Sequence, residues 1–221
     1  MFDKWEAFDD VEYILSDDGS TDGSKEEAKK RGWTVVGNEV NKGFDIITGA
    51  NQAAQVALGE YLIYFTGDTY PKEDYIHETD KHVSPTRLLN GLRLQIDKNT
   101  GKVLANDWRV VKNPQTDWFQ GYIPITGGSP WEMMQSNGMM LPKKMYNELG
   151  GMLLDYRYHA GACDTDLCAH AHFKGYELAI IPQAVCFHRY HKENFDDEYS
   201  TKLKQSRIQY FKETYANLDN R

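Results

Sequence analysis

Between Val11 and Phe65 the chain alternates strand-like and helix-like patterns through short connections, and this alternation constrains the fold more than any other feature. A parallel neighbour strand can be reached only through a crossover, so strand, helix, strand in close succession predicts a parallel α/β sheet. Val11–Ser16 (VEYILS) reads as a buried strand. It leads into DDGSTDGS and then SKEEAKKRG, where Ser24 and Glu27 have capping-box spacing and Gly32 stands where a helix C-terminal glycine belongs. Trp33–Val36 predicts a second strand, Phe44–Leu58 a helix after the NKG turn, and Tyr61–Phe65 a third strand.

The middle of the chain has a different pattern. Leu88–Ile96 and Val103–Val111 flank DKNTG and predict an antiparallel hairpin. From residue 113 to 136, Pro114, Pro124 and Pro130 lie among Trp118, Phe119, Tyr122 and Trp131, which predicts an irregular aromatic loop. Order returns with a short helix over Pro142–Leu149, followed by Gly150-Gly151, and a helix over Asp164–Lys174 closed by Gly175. Strands over Leu178–Ile181 and Ala184–His188 flank Pro182, and Tyr199–Tyr215 predicts a terminal amphipathic helix. With no repeat and no linker, the 221 residues read as one domain.

Charge excludes some partners. Lys and Arg number 25 against 33 Asp and Glu, a net charge of -8, which leaves no electrostatic footprint for nucleic acid or an anionic membrane. No apolar run reaches the roughly 18–20 residues of a membrane span, and the opening MFDKWEAFDD is too acidic for a signal peptide, so a cytoplasmic location is expected. Cys163, Cys168 and Cys186 form no CxxC pair and read as reduced core thiols.

Three carboxylate groups fall at or just beyond the C-terminal ends of predicted strands, where open α/β sheets bind ligands. Asp17-Asp18, followed by Gly19, can accept hydrogen bonds from a ribose or a base, and equally can satisfy a turn and a helix start. Asp68 in FTGDTYP suits a hard cation that draws its other oxygens from phosphate, or a turn before Pro71. Asp164 and Asp166 in GACDTDLCAH suit a helix N-cap and first turn, and a carboxylate at that junction can also serve as a general base. Five of the seven histidines lie after residue 158, and His188, at a strand end, can reach the sheet edge that carries Asp68.

These blocks resemble, in order, the GT-A glycosyltransferases of family 2. YILSDDGSTDGS is similar to the family's nucleotide-binding strand and turn, and ITGANQAAQVALGEYLIYFTGDTYP to its helix, strand and DXD metal site. SNGMMLPKKMYNELGGM and ACDTDLCAHAHFKGYELAIIPQAVCFH are similar to its acceptor-side strand, ED motif and strand-end histidine. The resemblance implies a mixed, mostly parallel sheet flanked by helices, with 11–70 as a nucleotide-binding half, 85–195 as an acceptor-side half and 198–216 as a C-terminal helix. It implies metal-dependent, inverting transfer of a sugar from a nucleotide sugar, a UDP-sugar foremost, to a glycan or lipid-linked acceptor. The residues it points to are Asp17, Asp18, Gly19 and Asn51 for the nucleotide, and Asp68 and His188 for Mn²⁺ or Mg²⁺. Asp164 would be the base, with Trp131, Cys163 and Asp166 on the acceptor side.

The chain departs from the family pattern in four places. Thr66 replaces the first acid of the DXD, Cys163 replaces the first acid of the ED pair, and His170 stands where an arginine is common. Only ten residues precede Val11, so the family's usual first strand is expected to be absent, or supplied by another segment or chain. A nucleotide-sugar or glycan-binding domain without turnover is the alternative that these departures raise.

Overall fold

The computed structural model describes residues 2–5, 8, 10–41, 46–106, 110–112, 119–124, 130–132, 137–152 and 163–190. After a short 3-10 turn over Phe2–Lys4, β1 (Ile14–Asp18), α1 (Ser24–Lys30) and β2 (Thr34–Asn38) form the expected crossover unit, with β1 and β2 parallel. Strand β1 is shorter than the apolar run VEYILS, because Val11, Glu12 and Tyr13 precede the ladder. Helix α1 ends in a Schellman motif: the Trp33 N–H reaches the Ala28 carbonyl and the Gly32 N–H the Lys29 carbonyl, with Gly32 at φ 80°. The capping box is not formed. Gly23 is the N-cap, Asp22 takes the Ser24 N–H at 3.0 Å, and the Glu27 carboxylate goes instead to Arg31 at 2.6 Å, one turn along the helix.

Then follow α2 (Ile46–Val56), β3 (Tyr61–Tyr64), β4 (Thr69–Pro71), α3 (Tyr75–Asp80), β5 (Arg87–Asp97), β6 (Val103–Asn106), β7 (Val110–Lys112), β8 (Phe119–Pro124), β9 (Pro130–Glu132), β10 (Met139–Pro142), α4 (Lys143–Leu149), α5 (Cys163–Phe173) and β11 (Glu177–Tyr190). The described residues therefore build two sheets, β1–β2 alone and a nine-stranded sheet with the path β3-β10-β5-β11-β8-β7. Strands β4, β6 and β9 join it beside β11, β5 and β8. Among the described residues, parallel pairing is confined to β1–β2 and β5–β11, and the other ladders are antiparallel. The sheet is thus mixed rather than mostly parallel, because after β3 the chain adds strands mainly beside antiparallel neighbours.

Three further expectations are corrected. The two strands about Pro182 are one strand, β11, whose register against β5 jumps between Ile181 and Val185, so a bulge accommodates a residue that cannot donate to a ladder. The aromatic segment is not wholly irregular, since β8 and β9 pair within it. Asp164 lies inside the first turn of α5 rather than at its N-cap. The hairpin across DKNTG is found as β5–β6, with the Asp97 carboxylate accepting the Asn99 and Thr100 N–H groups. The helix expected over Tyr199–Tyr215 lies outside the described residues.

Both faces of the large sheet are covered, which explains its continuous apolar strands. Leu88, Met139, Leu141, Leu178 and Ile180 face α2, α4 and α5, whereas their neighbours Leu89, Met140, Ala179 and Ile181 face Tyr75 of α3. Each fully buried leucine among them contributes about 1.5–3 kcal/mol relative to exposure. Near the N-terminus the Trp5 ring lies 5.9 Å from Trp33 and 6.4 Å from Phe65, so it bridges the two sheets.

Tyr75 is fully buried, and its hydroxyl donates to the Gly138 carbonyl at 2.5 Å while accepting the Gly91 N–H at 2.8 Å. Both glycines leave it room: a Cβ on Gly91 would stand 2.3 Å from the Tyr75 ring and 2.3 Å from the Ala184 carbonyl oxygen. Tyr75→Phe strands two buried backbone groups and is expected to lower the unfolding free energy by about 1–3 kcal/mol. Gly91→Ala, which collides with backbone as well as ring, is expected to cost at least as much. Urea unfolding midpoints of the two variants check both values.

Candidate functional site

The strongest constellation forms where β3 ends. Asp68 follows the β3 turn and immediately precedes β4, which pairs antiparallel with β11 so that Thr69 is the partner of His188. The Arg189 N–H donates to the Asp68 carbonyl at 2.9 Å and locks this corner. The ladder brings two residues 120 positions apart together, with His188 Nε2 3.1 Å from Asp68 Oδ2. Their side chains are 20% and 29% exposed, so both are open to a ligand.

Burial by itself raises the Asp68 carboxyl, but the hydrogen bonds from His188 and Thr66 outweigh it and hold the group down at about 2. Asp68 is therefore a carboxylate at neutral pH. A carboxylate oxygen and an imidazole nitrogen are donors suited to a divalent cation, and their separation matches two adjacent corners of an octahedron with arms of roughly 2.1 Å. Among the described residues no group of three or more His, Cys, Asp or Glu side chains could hold a metal ion. A cation here would draw its remaining ligands from other oxygens, as it does beside a diphosphate.

The two acids after β1 have different settings. Asp17 is buried, accepts the Ser20 N–H at 2.9 Å and pairs with Lys25 at 3.4 Å. Burial pushes its carboxyl up, yet the Ser20 and Lys25 contacts leave it below the ordinary value. Asp18, on the opposite face, is half-buried and accepts from the Asn38 side chain at 2.8 Å. Asp17 thus holds the turn, and Asp18 is the more open acid. Gly19 has φ 74°, and a Cβ there would stand 2.3 Å from the Asn41 backbone nitrogen, so the loop after β2 rests directly on this turn.

Asn51 spends its amide on the framework. Its Nδ2 donates to the Met152 carbonyl at 2.8 Å, and its Oδ1 accepts from the Tyr146 hydroxyl at 2.6 Å and the Met152 N–H at 3.0 Å. Helix α2 is thereby tied to the end of α4. On the same face of the large sheet, α5 packs against β11, α4 and β9, the strand that includes Trp131. Within α5, Cys163 and Asp166 are buried at 5% and 4% exposure, while Asp164 is half-buried. Cys163, Cys168 and Cys186 are buried free thiols.

One residue escapes a reading by motif. Asn137, just before β10, accepts the Thr66 N–H at 2.7 Å and has its side-chain oxygen 2.7 Å from the Thr66 hydroxyl, and so stands directly behind Asp68. The signal available was the register of the apolar strands β3 and β10, not residue type: an asparagine before GMML has no chemical signature of its own until β3 and β10 are known to pair.

No curated protein matches this sequence significantly. Among solved structures the chain is similar to GalNAc-T7 with UDP, GalNAc and Mn²⁺, at 17% identity and a TM-score of 0.63, over 84% of this chain and 38% of that one. It is also similar to the mannosyltransferase PcManGT from Pyrobaculum calidifontis in complex with GDP-Man and Mn²⁺, at 17% identity and a TM-score of 0.59, over 88% and 52%. A third is S. aureus TarS 1-349 in complex with UDP-GlcNAc, at 13% identity and a TM-score of 0.58, over 95% and 60%. The chain spans from 38% to 60% of the length of these three chains. They establish the GT-A fold, a mixed sheet flanked by helices. No helix among the described residues is long and apolar enough to cross a membrane. The family model for glycosyl transferase family 2 matches residues 4–134, more than half of the sequence and inclusive of Asp17, Asp18 and Asp68, and the chain belongs to that family.

Proposed function

We propose that the chain transfers a sugar from a nucleoside-diphosphate sugar, a UDP-sugar foremost, to a hydroxyl of a glycan or lipid-linked acceptor with inversion at the anomeric carbon. The observation that carries this reading is the Asp68–His188 pair, held 3.1 Å apart at the end of β3 in a family 2 chain. The UDP, GDP-Man and UDP-GlcNAc bound in the similar structures support a nucleotide-sugar donor.

In this reading Asp18 accepts hydrogen bonds from the base or ribose, while Asp17 and Gly19 shape the turn beneath it. Asp68 and His188 hold a divalent cation, Mn²⁺ or Mg²⁺, which supplies positive charge to the leaving diphosphate. A chain of net charge -8 has particular need of that neutralisation. Asp164, in the first turn of α5, takes the proton of the acceptor hydroxyl as its oxygen attacks the anomeric carbon opposite the diphosphate. The bond from that carbon to the diphosphate oxygen breaks, and its electron pair leaves with the nucleotide. The helix N-terminus favours negative charge at Asp164. Of the two acids there, Asp164 is the one open enough to meet an acceptor, and in this reading Trp131, Cys163 and Asp166 belong to the acceptor side.

A second reading is a nucleotide-sugar or glycan-binding domain without turnover, favoured by Thr66 in place of a second acid and by the burial of Cys163. Calorimetric titration of UDP and GDP, each with and without Mn²⁺, tests the donor site. One nucleotide is expected to bind only with Mn²⁺. Absence of binding by both would overturn the donor assignment, and Mn²⁺-dependent turnover of a sugar derivative would exclude the second reading.

A further inference from the structure

The last residue of β3, Tyr64, is the ladder partner of the first residue of β10, Met139. Continuing the antiparallel register two residues beyond the strands sets Thr66 opposite Asn137, and the Gly138 N–H still donates to the Tyr64 carbonyl at 2.7 Å. Asn137 is 7% exposed, and its side-chain oxygen accepts the backbone N–H of Thr66 and lies 2.7 Å from the Thr66 hydroxyl oxygen. The backbone donor fixes the orientation of the amide, because a reversed NH₂ would face an N–H. The Thr66 hydroxyl also lies in hydrogen-bond contact with Asp68 Oδ1, and Thr69 Oγ1 is 3.3 Å from it.

A threonine hydroxyl has a single proton. Asp68 Oδ1 and Asn137 Oδ1 are both in reach of it, each closer than Thr69 Oγ1. A bare carboxylate is the stronger acceptor, so the proton goes to Asp68 when nothing else binds there. A cation on that carboxylate draws off its electron density, and the hydroxyl then needs another acceptor. We infer that Asn137 is a positioning residue for cation binding: it anchors the Thr66 backbone and receives the Thr66 proton when Asp68 turns its oxygens to a divalent cation. The inference rests on the reading of Asp68 and His188 as the cation ligands. It also gives Thr66 a role that an acid could not fill, since a hydroxyl can redirect its proton whereas a second carboxylate would only add charge.

The test measures Mn²⁺ affinity at saturating UDP, by the loss of the free Mn²⁺ electron paramagnetic resonance signal, together with urea unfolding of the same variants. Asn137→Ala is expected to weaken Mn²⁺ binding about 10-fold, the scale of partners that support metal ligands. Asn137→Asp keeps both acceptor functions and is expected to bind Mn²⁺ at least as tightly as the wild type. In a Thr66→Val background there is no proton to place, so Asn137→Ala is expected to cost less than about 3-fold. Affinity of Asn137→Ala within twofold of wild type, whatever its stability, would overturn the inference, and so would a 10-fold loss in Asn137→Asp. If the wild type itself binds no Mn²⁺ with UDP, the cation-ligand reading fails and this one fails with it.

Discussion

Asp68→Asn is expected to abolish Mn²⁺-dependent nucleotide binding while leaving the fold in place. Asparagine has the same shape and keeps one oxygen for the Thr66 hydroxyl, but it removes the one negative charge that the described residues bring to this corner beside His188. Loss of a direct ligand is expected to exceed the roughly 10–100-fold seen when a supporting partner is lost. Among the described residues the site offers this carboxylate and one imidazole, and no third acid, cysteine or histidine joins them to compensate. Calorimetric titration of Mn²⁺ and UDP, with circular dichroism to confirm the fold, measures the effect. Undiminished binding by the variant would place the cation elsewhere in the molecule.

Asp164→Asn carries the second large effect, on the other substrate. An amide of the same size cannot accept the acceptor's proton, so transfer is expected to fall about 10²–10⁴-fold, the usual contribution of a positioned base. Donor affinity is expected to stay near that of the wild type, because the residues assigned to the nucleotide and the cation lie on β1, at the β3 end and on β11, not on α5. Asp166→Asn is the comparison, since that carboxylate is 4% exposed and α5 buries it against the core. It is expected to affect stability more than the chemical step. Steady-state rates with separate donor titrations distinguish the two positions, and full transfer activity in Asp164→Asn would remove it from the base role.

The residues of the candidate site were legible to different degrees, for reasons that lie in their surroundings. Asp68 and His188 could be proposed as neighbours because each stands at or just beyond the end of a strand expected from the sequence, and strand ends of one sheet edge converge. Asp17 and Asp18 could be recognised as a pair but not divided, since adjacent residues on a strand point to opposite faces and only the packing of the β1–β2 unit says which face is inside. Asn51 was legible as part of a motif. Its hydrogen bonds to Tyr146 and Met152, about a hundred residues away, were not. Asn137 was invisible until the β3–β10 register was known.

What the sequence determined alone is what local interactions settle. Apolar runs and short connections defined β1, α1, β2 and β3, a glycine in the left-handed region closed α1, and Asp97 with Gly101 turned the β5–β6 hairpin. Where two local solutions had nearly equal free energy, the tertiary structure chose. Glu27 had a capping partner in reach, but Arg31, which also meets Asp3 at 2.7 Å, took it. Pro182 predicted a break, but β5 on one side and β4 and β8 on the other keep β11 continuous around a bulge. Long-range pairing alone also decided that β1–β2 form their own sheet and that β10 lies between β3 and β5. Local propensity carries no information about which distant edge a strand will meet, and the chemistry of Asp68, Thr66, Asn137 and His188 exists only because those edges met.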